Sequence, residues 1–335
     1  MEYATLLRRL IAGTHLTQAE SAEMIGAVMD GAVTPAQAAG FLVALASKGE
    51  HVDEIVGAAR AMRERGLHVE HGLDDVVDVV GTGGDGANTM NVSTMAALVA
   101  AGAGLAVAKH GNRAASSVCG SADVLEATGF PLDLDPHRAA RMLRETGFAF
   151  MFAPRYHPAM KNVGPIRSEL GVKTLFNILG PLSNPASATI AIVGVANMAL
   201  LDLIAPVLQG LGVRRGAIVR ASNGIDEVAG DVPSTIFSFD ERGSKKWTLD
   251  PAAFGIAVPL EAIVVRSIDE AREAFMAVLG GERSPRAEVV ALNAALVLYT
   301  AGIEPAMAGA LERARSILAS GEALRVYERA KELAK

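Results

Sequence analysis

Residues 75–86 have the sequence DVVDVVGTGGDG, in which a run of valines stops at a glycine-rich turn. Upstream of this stretch the apolar residues recur at helical spacing, as within residues 24–29, whereas successive β-branched residues are typical of a strand. A helix of small apolar residues is predicted from Asn91 onward. The order strand, glycine turn and helix therefore marks the start of an α/β domain.

The residues before this strand predict helices only. Thr17 with Glu20 and Thr34 with Gln37 have the spacing of a capping box, and glycines stand at the expected helix ends. The apolar face of these helices must pack against another helix or another subunit. We therefore predict a helical subdomain over residues 1–70.

Apolar segments that predict further strands follow the glycine-rich turn, with helical patterns between most of them. They lie at residues 105–108, 149–152, 190–195, 217–219 and 262–265. Such alternation is typical of a largely parallel sheet. We therefore predict an α/β fold, with the small helical subdomain joined to a larger α/β domain over residues 72–160 and 188–335. Residues 161–187, rich in Gly, Pro and Asn, are expected to complete the helical subdomain.

Composition and charge disfavour several classes of protein. The net charge of −6 over 335 residues gives no general attraction for nucleic acid. The single cysteine, Cys119, excludes an intrachain disulfide and a zinc cluster built on cysteines. The longest apolar run, residues 95–108, is shorter than the roughly 20 residues that span a bilayer, and residues 1–10 lack the order of a secretory signal. We expect a cytoplasmic protein that binds neither nucleic acid nor membrane.

The glycine-rich turn at residues 81–86 has the architecture of a phosphate site. Glycines let backbone N–H groups approach phosphate oxygens, and the following helix adds the positive end of its dipole. The glycine spacing is not that of a Rossmann fingerprint, and no Lys-Ser or Lys-Thr pair closes the turn as in a Walker A loop. A dinucleotide or ATP site is therefore disfavoured, while a plain strand-to-helix connection remains the alternative.

A second polar loop, KHGNR at residues 109–113, follows the next predicted strand, with hydroxyls at Ser116 and Ser121. Lys109 is a compact charge that suits a phosphate, while Arg113 suits either two oxygens of a ligand or a neighbouring acid. Alone, this loop would be interpreted as a solvated basic turn. Two polar loops at successive strand ends favour a binding site, because ligands of open α/β sheets bind beyond the carboxyl ends of the strands.

Two adjacent carboxylates, Asp226 and Glu227, follow the predicted strand at residues 217–219. Adjacent acids in a turn are usually just solvated. Beside a diphosphate, however, they are the hard oxygen ligands that magnesium requires, with substrate and water completing its coordination. On this interpretation Asp226 and Glu227 bind Mg²⁺, and Ser93 contributes a further oxygen.

A fourth segment contains His157, which precedes Pro158, and then Arg167 and the sequence FNILGP at residues 176–181. A histidine before proline is more often a turn or capping residue than a catalyst. Arg167 lies on the polar side of a predicted helix, where it is either a surface residue or a group that binds a substrate carboxylate.

Together these segments resemble the anthranilate phosphoribosyltransferase family. The matching motifs are residues 81–85, 109–113 and 177–185, with Asp226 and Glu227 downstream, in the family's order across nearly the whole chain. The resemblance implies a fold of the nucleoside phosphorylase and phosphoribosyltransferase type. It also implies a magnesium-dependent pentosyltransferase of tryptophan biosynthesis that joins phosphoribosyl pyrophosphate to anthranilate and releases pyrophosphate. A homodimer through the helical subdomain is expected as well.

The resemblance further implies roles for individual residues. Those expected to bind phosphoribosyl pyrophosphate are Gly81, Gly84, Asp85, Thr89, Asn91, Ser93, Thr94, Lys109 and Ser121. Those expected to bind anthranilate are Gly81, His110, Asn112, His157 and Arg167, and those expected to bind magnesium are Ser93, Asp226 and Glu227.

The chain departs from the family pattern at two positions. Ala221 stands where histidine is frequent, and Cys119 stands where serine is common. Two alternative functions stay open at this point. One is a pyrimidine nucleoside phosphorylase, which would use free phosphate and a nucleoside, and the other is a non-catalytic binding protein that kept the fold.

Overall fold

The computed structural model describes residues 3–114 and 117–335, and its chain begins with helices. These are α1 (Tyr3–Ile11), α2 (Gln18–Met29), α3 (Pro35–Lys48) and α4 (Val52–Glu64). Both predicted capping boxes are present, since the Thr17 side chain accepts from the Glu20 N–H and the Thr34 side chain accepts from the Gln37 N–H. The capping residues thus set where α2 and α3 begin, as predicted.

Strands and helices alternate along most of the remaining chain. They are β1 (Val77–Gly81), α5 (Val92–Gly102), β2 (Val107–Gly111), α6 (Ser121–Ala127), α7 (Pro136–Thr146), β3 (Phe148–Phe152), α8 (Ala153–Tyr156), α9 (Met160–Leu170), α10 (Phe176–Leu179), β4 (Ile190–Gly194), α11 (Met198–Gly210), β5 (Arg215–Ala221), β6 (Ser234–Asp240), β7 (Gly243–Leu249), α12 (Ile268–Leu279), α13 (Pro285–Thr300), α14 (Met307–Ala319) and α15 (Glu322–Ala334).

The strands of the described residues form one sheet in the order β3-β2-β1-β4-β5-β6-β7. Neighbours from β3 to β5 are parallel, and β6 and β7 add an antiparallel hairpin at one edge. The predicted α/β fold with a largely parallel sheet is confirmed. Because parallel strands point the same way, the loops after β1, β2 and β5 leave the sheet at one common edge.

The predicted strand at residues 262–265 is wrong, because this segment forms only an isolated antiparallel bridge, between Val264 and Thr89, outside the sheet. This segment instead packs along the loop before α5, where the Met90 N–H donates to the Ile263 carbonyl oxygen at 2.7 Å and the Val265 N–H donates to the Asn88 carbonyl oxygen at 2.9 Å. The apolar side chains of Ile263 and Val265 are buried by this packing and not by a sheet. Hydrophobicity alone does not distinguish the two arrangements.

The sheet is covered on both faces, and alternate residues of its strands enter different hydrophobic cores. One core contains Val77 and Val79 of β1 together with α5, α7 and α12–α15. The other contains Val193 of β4 and joins α11 to α1–α4 and to residues 163–182. The helices that precede the sheet in sequence therefore share a core with the later segment that crosses back to them. No helix in the described ranges has the length and hydrophobicity needed to cross a membrane.

Gly57 permits the close contact between α2 and α4. A Cβ atom at this position would stand 2.1 Å from the Gln18 carbonyl oxygen, which is main chain and has little freedom to move. Gly57→Ala is expected to lower the free energy of unfolding by about 1–3 kcal/mol, because the helices must separate to admit the methyl group. Urea unfolding followed by circular dichroism measures this loss.

Gly309→Ala is the matched control, since it also lies inside a helix and its new Cβ would meet only the flexible end of Glu304 at 3.3 Å. We expect this variant to be as stable as the wild type or slightly more stable, because alanine favours helix. Equal stability of the two variants would contradict the proposed role of Gly57.

Candidate active site

The glycine-rich turn after β1 has the backbone conformation that its sequence predicts. Gly83, Gly84 and Gly86 have φ values of 65°, 79° and 73°, a region that residues with a Cβ seldom adopt. The Gly83 N–H donates to Asp226 Oδ2 at 2.8 Å, and the Ala87 N–H donates to Asp85 Oδ1 at 3.1 Å. Two carboxylates therefore fix the turn from the inside, while Gly84 stays exposed.

Asp226 reaches this turn because the ends of β1 and β4 have no side chains. Gly81 and Gly194 are partners in the parallel ladder. A Cβ at Gly81 would lie 2.4 Å from Asp226 Oδ2, and one at Gly194 would lie 1.7 Å from the carbonyl oxygen of residue 226. The loop after β5 therefore crosses directly over both strand ends, which brings its acids to the glycine turn.

Glu227 contacts the beginning of α5. Its Oε1 accepts from the Ser93 N–H at 3.2 Å, and its Oε2 accepts from the Thr89 hydroxyl at 3.4 Å. Burial raises the pKa of Glu227 to about 8, and burial followed by the charge of Asp85 raises the pKa of Asp226 to about 6. The acids crowd one another, so the site favours a cation or a bound proton.

Lys109 is the cation of the site, and it is only 2% exposed. Its Nζ donates to the Val79 carbonyl oxygen at 2.6 Å and lies 3.3 Å from Ser93 Oγ. Burial lowers its pKa to about 8, while nearby carboxylates, chiefly Asp78, act in the opposite direction. Lys109 therefore contacts Ser93 directly, while Asp226 and Glu227 act on it only through their charges.

Asp78 is a residue of this site that sequence analysis missed. It is 2% exposed, and its Oδ1 accepts the N–H of His110 at 3.1 Å. Burial raises its pKa to about 6. The available signal was an acid in the middle of a valine strand, because a charged residue in a buried strand needs a specific partner.

Two polar atoms at the beginning of α5 are buried without a hydrogen-bond partner in the described chain. They are Asn91 Oδ1 and Thr94 Oγ1, and Thr94 is fully buried. The other end of the Asn91 amide is occupied, since its Nδ2 donates to the Cys119 carbonyl oxygen at 3.1 Å. Buried polar groups are rarely left unpaired, so these atoms indicate a polar ligand at this helix end.

The loop after β2 is held by acids of α6. Asp123 Oδ2 accepts from the N–H groups of Ala114 and Gly120 at 2.8 and 2.9 Å. Arg113 forms ion pairs with Asp123 and Glu126, so the alternative in which this arginine pairs with an acid is the one observed.

The two predicted hydroxyl positions of this loop have different outcomes. Ser121 Oγ donates to the Asn112 carbonyl oxygen at 3.2 Å. Asn112 is exposed, and its Oδ1 accepts from the Arg113 N–H at 2.7 Å. Ser116 lies outside the residues that the structure describes.

His110, which lies in β2, contacts His157, with ring centroids 5.1 Å apart. His110 Nδ1 lies 3.1 Å from the carbonyl oxygen of Gly180, which belongs to the motif at residues 177–185. Burial lowers the pKa of His110 to about 3 and that of His157 to about 4. Both imidazoles are therefore neutral at physiological pH, and the structure brings this predicted pair together.

Arg167 lies on α9, which packs against α2 and α3. Burial lowers the pKa of its guanidinium, and its side chain has no ion pair or hydrogen bond among the residues described. No contact described in the structure joins it to the other predicted residues. Its role in binding a carboxylate stays a prediction.

The residues predicted to bind magnesium do not form a complete metal cage. In the described ranges, no three His, Cys, Asp or Glu side chains are grouped so that they hold a metal ion by themselves. Such an arrangement does not exclude magnesium, which is commonly bound by one or two carboxylates together with substrate phosphates and water.

Comparison with known proteins identifies the family of this fold and site. A family model described as the helical bundle domain of a glycosyl transferase family matches residues 4–66, and the α/β domain of a glycosyl transferase family matches residues 73–324. The anthranilate phosphoribosyltransferase of Symbiobacterium thermophilum is 44% identical over 328 residues, which cover 98% of this chain and 96% of the relative.

Solved structures agree with the sequence comparison. The anthranilate phosphoribosyltransferase of Thermus thermophilus has a TM-score of 0.92 at 43% identity, with 98% of each chain covered. The Saccharomyces cerevisiae enzyme in complex with PRPP and Mg has a TM-score of 0.91 at 27% identity, covering 99% of this chain and 97% of that one. The yeast enzyme in complex with 4-fluoroanthranilate has a TM-score of 0.89 at 26% identity, covering 99% and 98%. The resemblance inferred from the motifs is confirmed, and this chain belongs to the anthranilate phosphoribosyltransferase family.

Proposed function

We propose that this chain transfers the 5-phosphoribosyl group of phosphoribosyl pyrophosphate to the amine of anthranilate, releasing pyrophosphate, as a step of tryptophan biosynthesis. The observation that carries the proposal is the meeting of three groups at one edge of the sheet. These are the glycine turn, the buried cation of Lys109 and the acidic pair of Asp226 and Glu227.

Magnesium fits the acidic side of this site. Asp226 and Glu227 each use oxygens to accept from backbone N–H groups, and both carboxyl pKa values are raised, so negative charge is poorly compensated there. The donor set is all oxygen, which suits a hard cation. Asp226, Glu227 and Ser93 would hold the ion, which when bound supplies positive charge to the pyrophosphate oxygens.

The protein's own groups would then bind and orient the donor. The glycine turn and the beginning of α5 present backbone N–H groups and a helix dipole to phosphate. Lys109 adds a fixed charge. The unpaired Asn91 Oδ1 can accept from a hydroxyl of the donor substrate, and the Thr94 hydroxyl can donate to a phosphate oxygen. Charge that is already in position stabilises departing pyrophosphate without reorganisation, while the ribose carbon becomes electron-poor.

The acceptor side needs no strong base. The amine of anthranilate carries a free electron pair near neutral pH, so it can attack the ribose carbon and lose its proton afterwards. His110 and His157 are both neutral and would contribute shape and polar contacts to the acceptor pocket, with Asn112 and Gly81 at the boundary to the donor. Arg167 would pair with the carboxylate of anthranilate.

We further propose a homodimer in which the second copy of this chain covers α1 and α3. These helices form an apolar groove that includes Leu7 and Leu10. Ile11 and Val43 at this groove are 73% and 40% exposed, which is a high exposure for large apolar side chains. We also propose a cytoplasmic location. The helical subdomain would consist of residues 1–70 and be completed by residues 161–187.

The reaction is tested by the fluorescence of anthranilate, which should decay when purified protein is mixed with phosphoribosyl pyrophosphate and magnesium, and should persist without magnesium.

Asp226→Asn combined with Glu227→Gln is expected to lower kcat/KM at least about 100-fold, because charge stabilisation of the leaving group is lost. Circular dichroism should show an intact fold.

Asp240 and Glu241 offer a matched control, since they are also an adjacent Asp-Glu pair and lie in the β6–β7 turn. Replacing them with Asn and Gln removes the same two charges and should leave the activity unchanged. Wild-type activity in the first double variant across a magnesium titration would contradict the metal assignment, and a wild type without any decay would contradict the proposed reaction.

Arg167→Ala is expected to raise the KM for anthranilate about tenfold and to leave the KM for phosphoribosyl pyrophosphate unchanged, because a charge-assisted hydrogen bond to the acceptor carboxylate is removed. Steady-state kinetics with each substrate varied in turn provide the measurement. Arg272→Ala, which removes an exposed arginine of α12, serves as the control. An unchanged anthranilate KM would remove Arg167 from the acceptor site.

Ile11→Glu combined with Val43→Glu is expected to convert the dimer into a monomer, since burying two carboxylates in an apolar interface is costly. Light scattering after gel filtration should give twice the chain mass of 34.7 kDa for the wild type and the single mass for the variant. Ile268→Glu changes another exposed apolar side chain, 45% exposed on α12, and should remain dimeric. A monomeric wild type would contradict the proposal.

A further inference from the structure

Lys173 approaches the glycine-rich turn from outside the α/β part of the chain. It follows α9, in the segment that shares a hydrophobic core with α1–α4. Its Nζ lies 3.8 Å from the point where a Cβ of Gly84 would stand, so the ammonium is directly beside the turn. The ammonium of Lys173, which belongs to the segment packed on α1–α4, thus lies beside the predicted phosphate-binding turn of the α/β part.

The ammonium of Lys173 has no hydrogen-bond or ion-pair partner among the residues that the structure describes, even though Asp85 and Asp226 accept hydrogen bonds from the backbone of the same turn. The backbone next to it is anchored, because the Thr174 N–H donates to Asn177 Oδ1 at 2.9 Å and Thr174 is 4% exposed. A fixed backbone with a free charge is suited to an anion that arrives from solution.

We propose that Lys173 is a further binding residue for the phosphoribosyl donor, and that its ammonium contacts the pyrophosphate group held at the glycine turn. This inference rests on the proposed function and adds a residue to it. Lysine suits this position because its charge is compact and its stem is flexible, so it can reach different oxygens of one diphosphate. A pyrophosphate bound between Lys173 and Gly84 would also connect residues 163–182, which pack against α1–α4, to the loop at the end of β1.

The rival explanation is a solvated surface lysine, which is the common state of exposed lysines. The two explanations differ in what the charge does to anion binding. A solvated lysine contributes nothing specific to pyrophosphate affinity, whereas a lysine in contact with the ligand contributes a charge-assisted hydrogen bond. The location of the Nζ atom beside a turn of exposed backbone favours the second explanation.

The test compares Lys173→Gln and Lys173→Arg with the wild type. Calorimetry with inorganic pyrophosphate and magnesium gives a Kd that does not depend on turnover. Lys173→Gln should raise this Kd about tenfold, the size expected for one hydrogen bond between charged groups. It should raise the KM for phosphoribosyl pyrophosphate similarly and change the anthranilate KM less than about twofold. Lys173→Arg should retain most of the affinity, because it keeps the charge.

Lys161→Gln is the matched control, since it removes one charge from an exposed lysine at the beginning of α9 and should leave the pyrophosphate Kd unchanged. A Kd for Lys173→Gln within twofold of the wild type would overturn the inference, and so would an equal loss in Lys161→Gln, which would indicate a general charge effect. If the wild type bound pyrophosphate but did not consume anthranilate, the proposed reaction would fail while the Lys173 comparison would still decide this inference.

Discussion

The close approach of Asp226 to the ends of β1 and β4 is the constraint on which the site depends. Gly81 and Gly194 are neighbours in adjacent parallel strands, and a side chain at either position would occupy the space of residue 226. Because both are glycine, the loop after β5 crosses the strand ends and delivers Asp226 and Glu227 to the turn that follows β1. The position of the acidic pair thus depends on two missing side chains in another part of the sequence.

Because these carboxyl groups are buried close to one another, their ionisation is unfavourable when no ligand is bound. Asp226, Glu227 and Asp78 all have raised pKa values, because burial disfavours their charged forms. A carboxyl group whose pKa is higher in the folded than in the unfolded chain stabilises the fold below its unfolded pKa, and that stabilisation is lost as the pH rises through the folded pKa. For Glu227 this window extends from its ordinary pKa of 4.5 to about 8. At neutral pH the ionisation of this buried carboxyl therefore remains unfavourable, and a cation bound at this site would offset that cost.

Local patterns were sufficient to predict the features that local chemistry determines. The helix starts at Thr17 and Thr34 depend on contacts within four residues, and the glycine turn depends on its own backbone. The hairpin of β6 and β7 was missed, because β7 is an exposed, polar edge strand that is specified by pairing and not by hydrophobicity.

Lys109 was recognisable from its motif, whereas the importance of Asp78 comes from a hydrogen bond to the backbone of a different strand. The sequence left open whether Arg113 binds a ligand or pairs with an acid. In the structure it pairs with Asp123 and Glu126 of α6, so the tertiary structure decides which residues remain available to a ligand.

The two halves of the site differ in how they are built, and this difference bears on the reaction. In the proposed function, the donor would bind the loops that follow β1, β2 and β5, whereas the acceptor would bind near the contact between β2 and residues 180–184. At this contact, His110 Nδ1 lies 3.1 Å from the Gly180 carbonyl oxygen, and the side chain of Asn184 donates to the Ala108 carbonyl oxygen at 2.7 Å. Attack of an amine on a ribose carbon requires the reacting atoms to be held about 3–3.5 Å apart. Because β2 contacts residues 180–184 through His110 and Ala108, we expect these contacts to influence that separation in the proposed reaction.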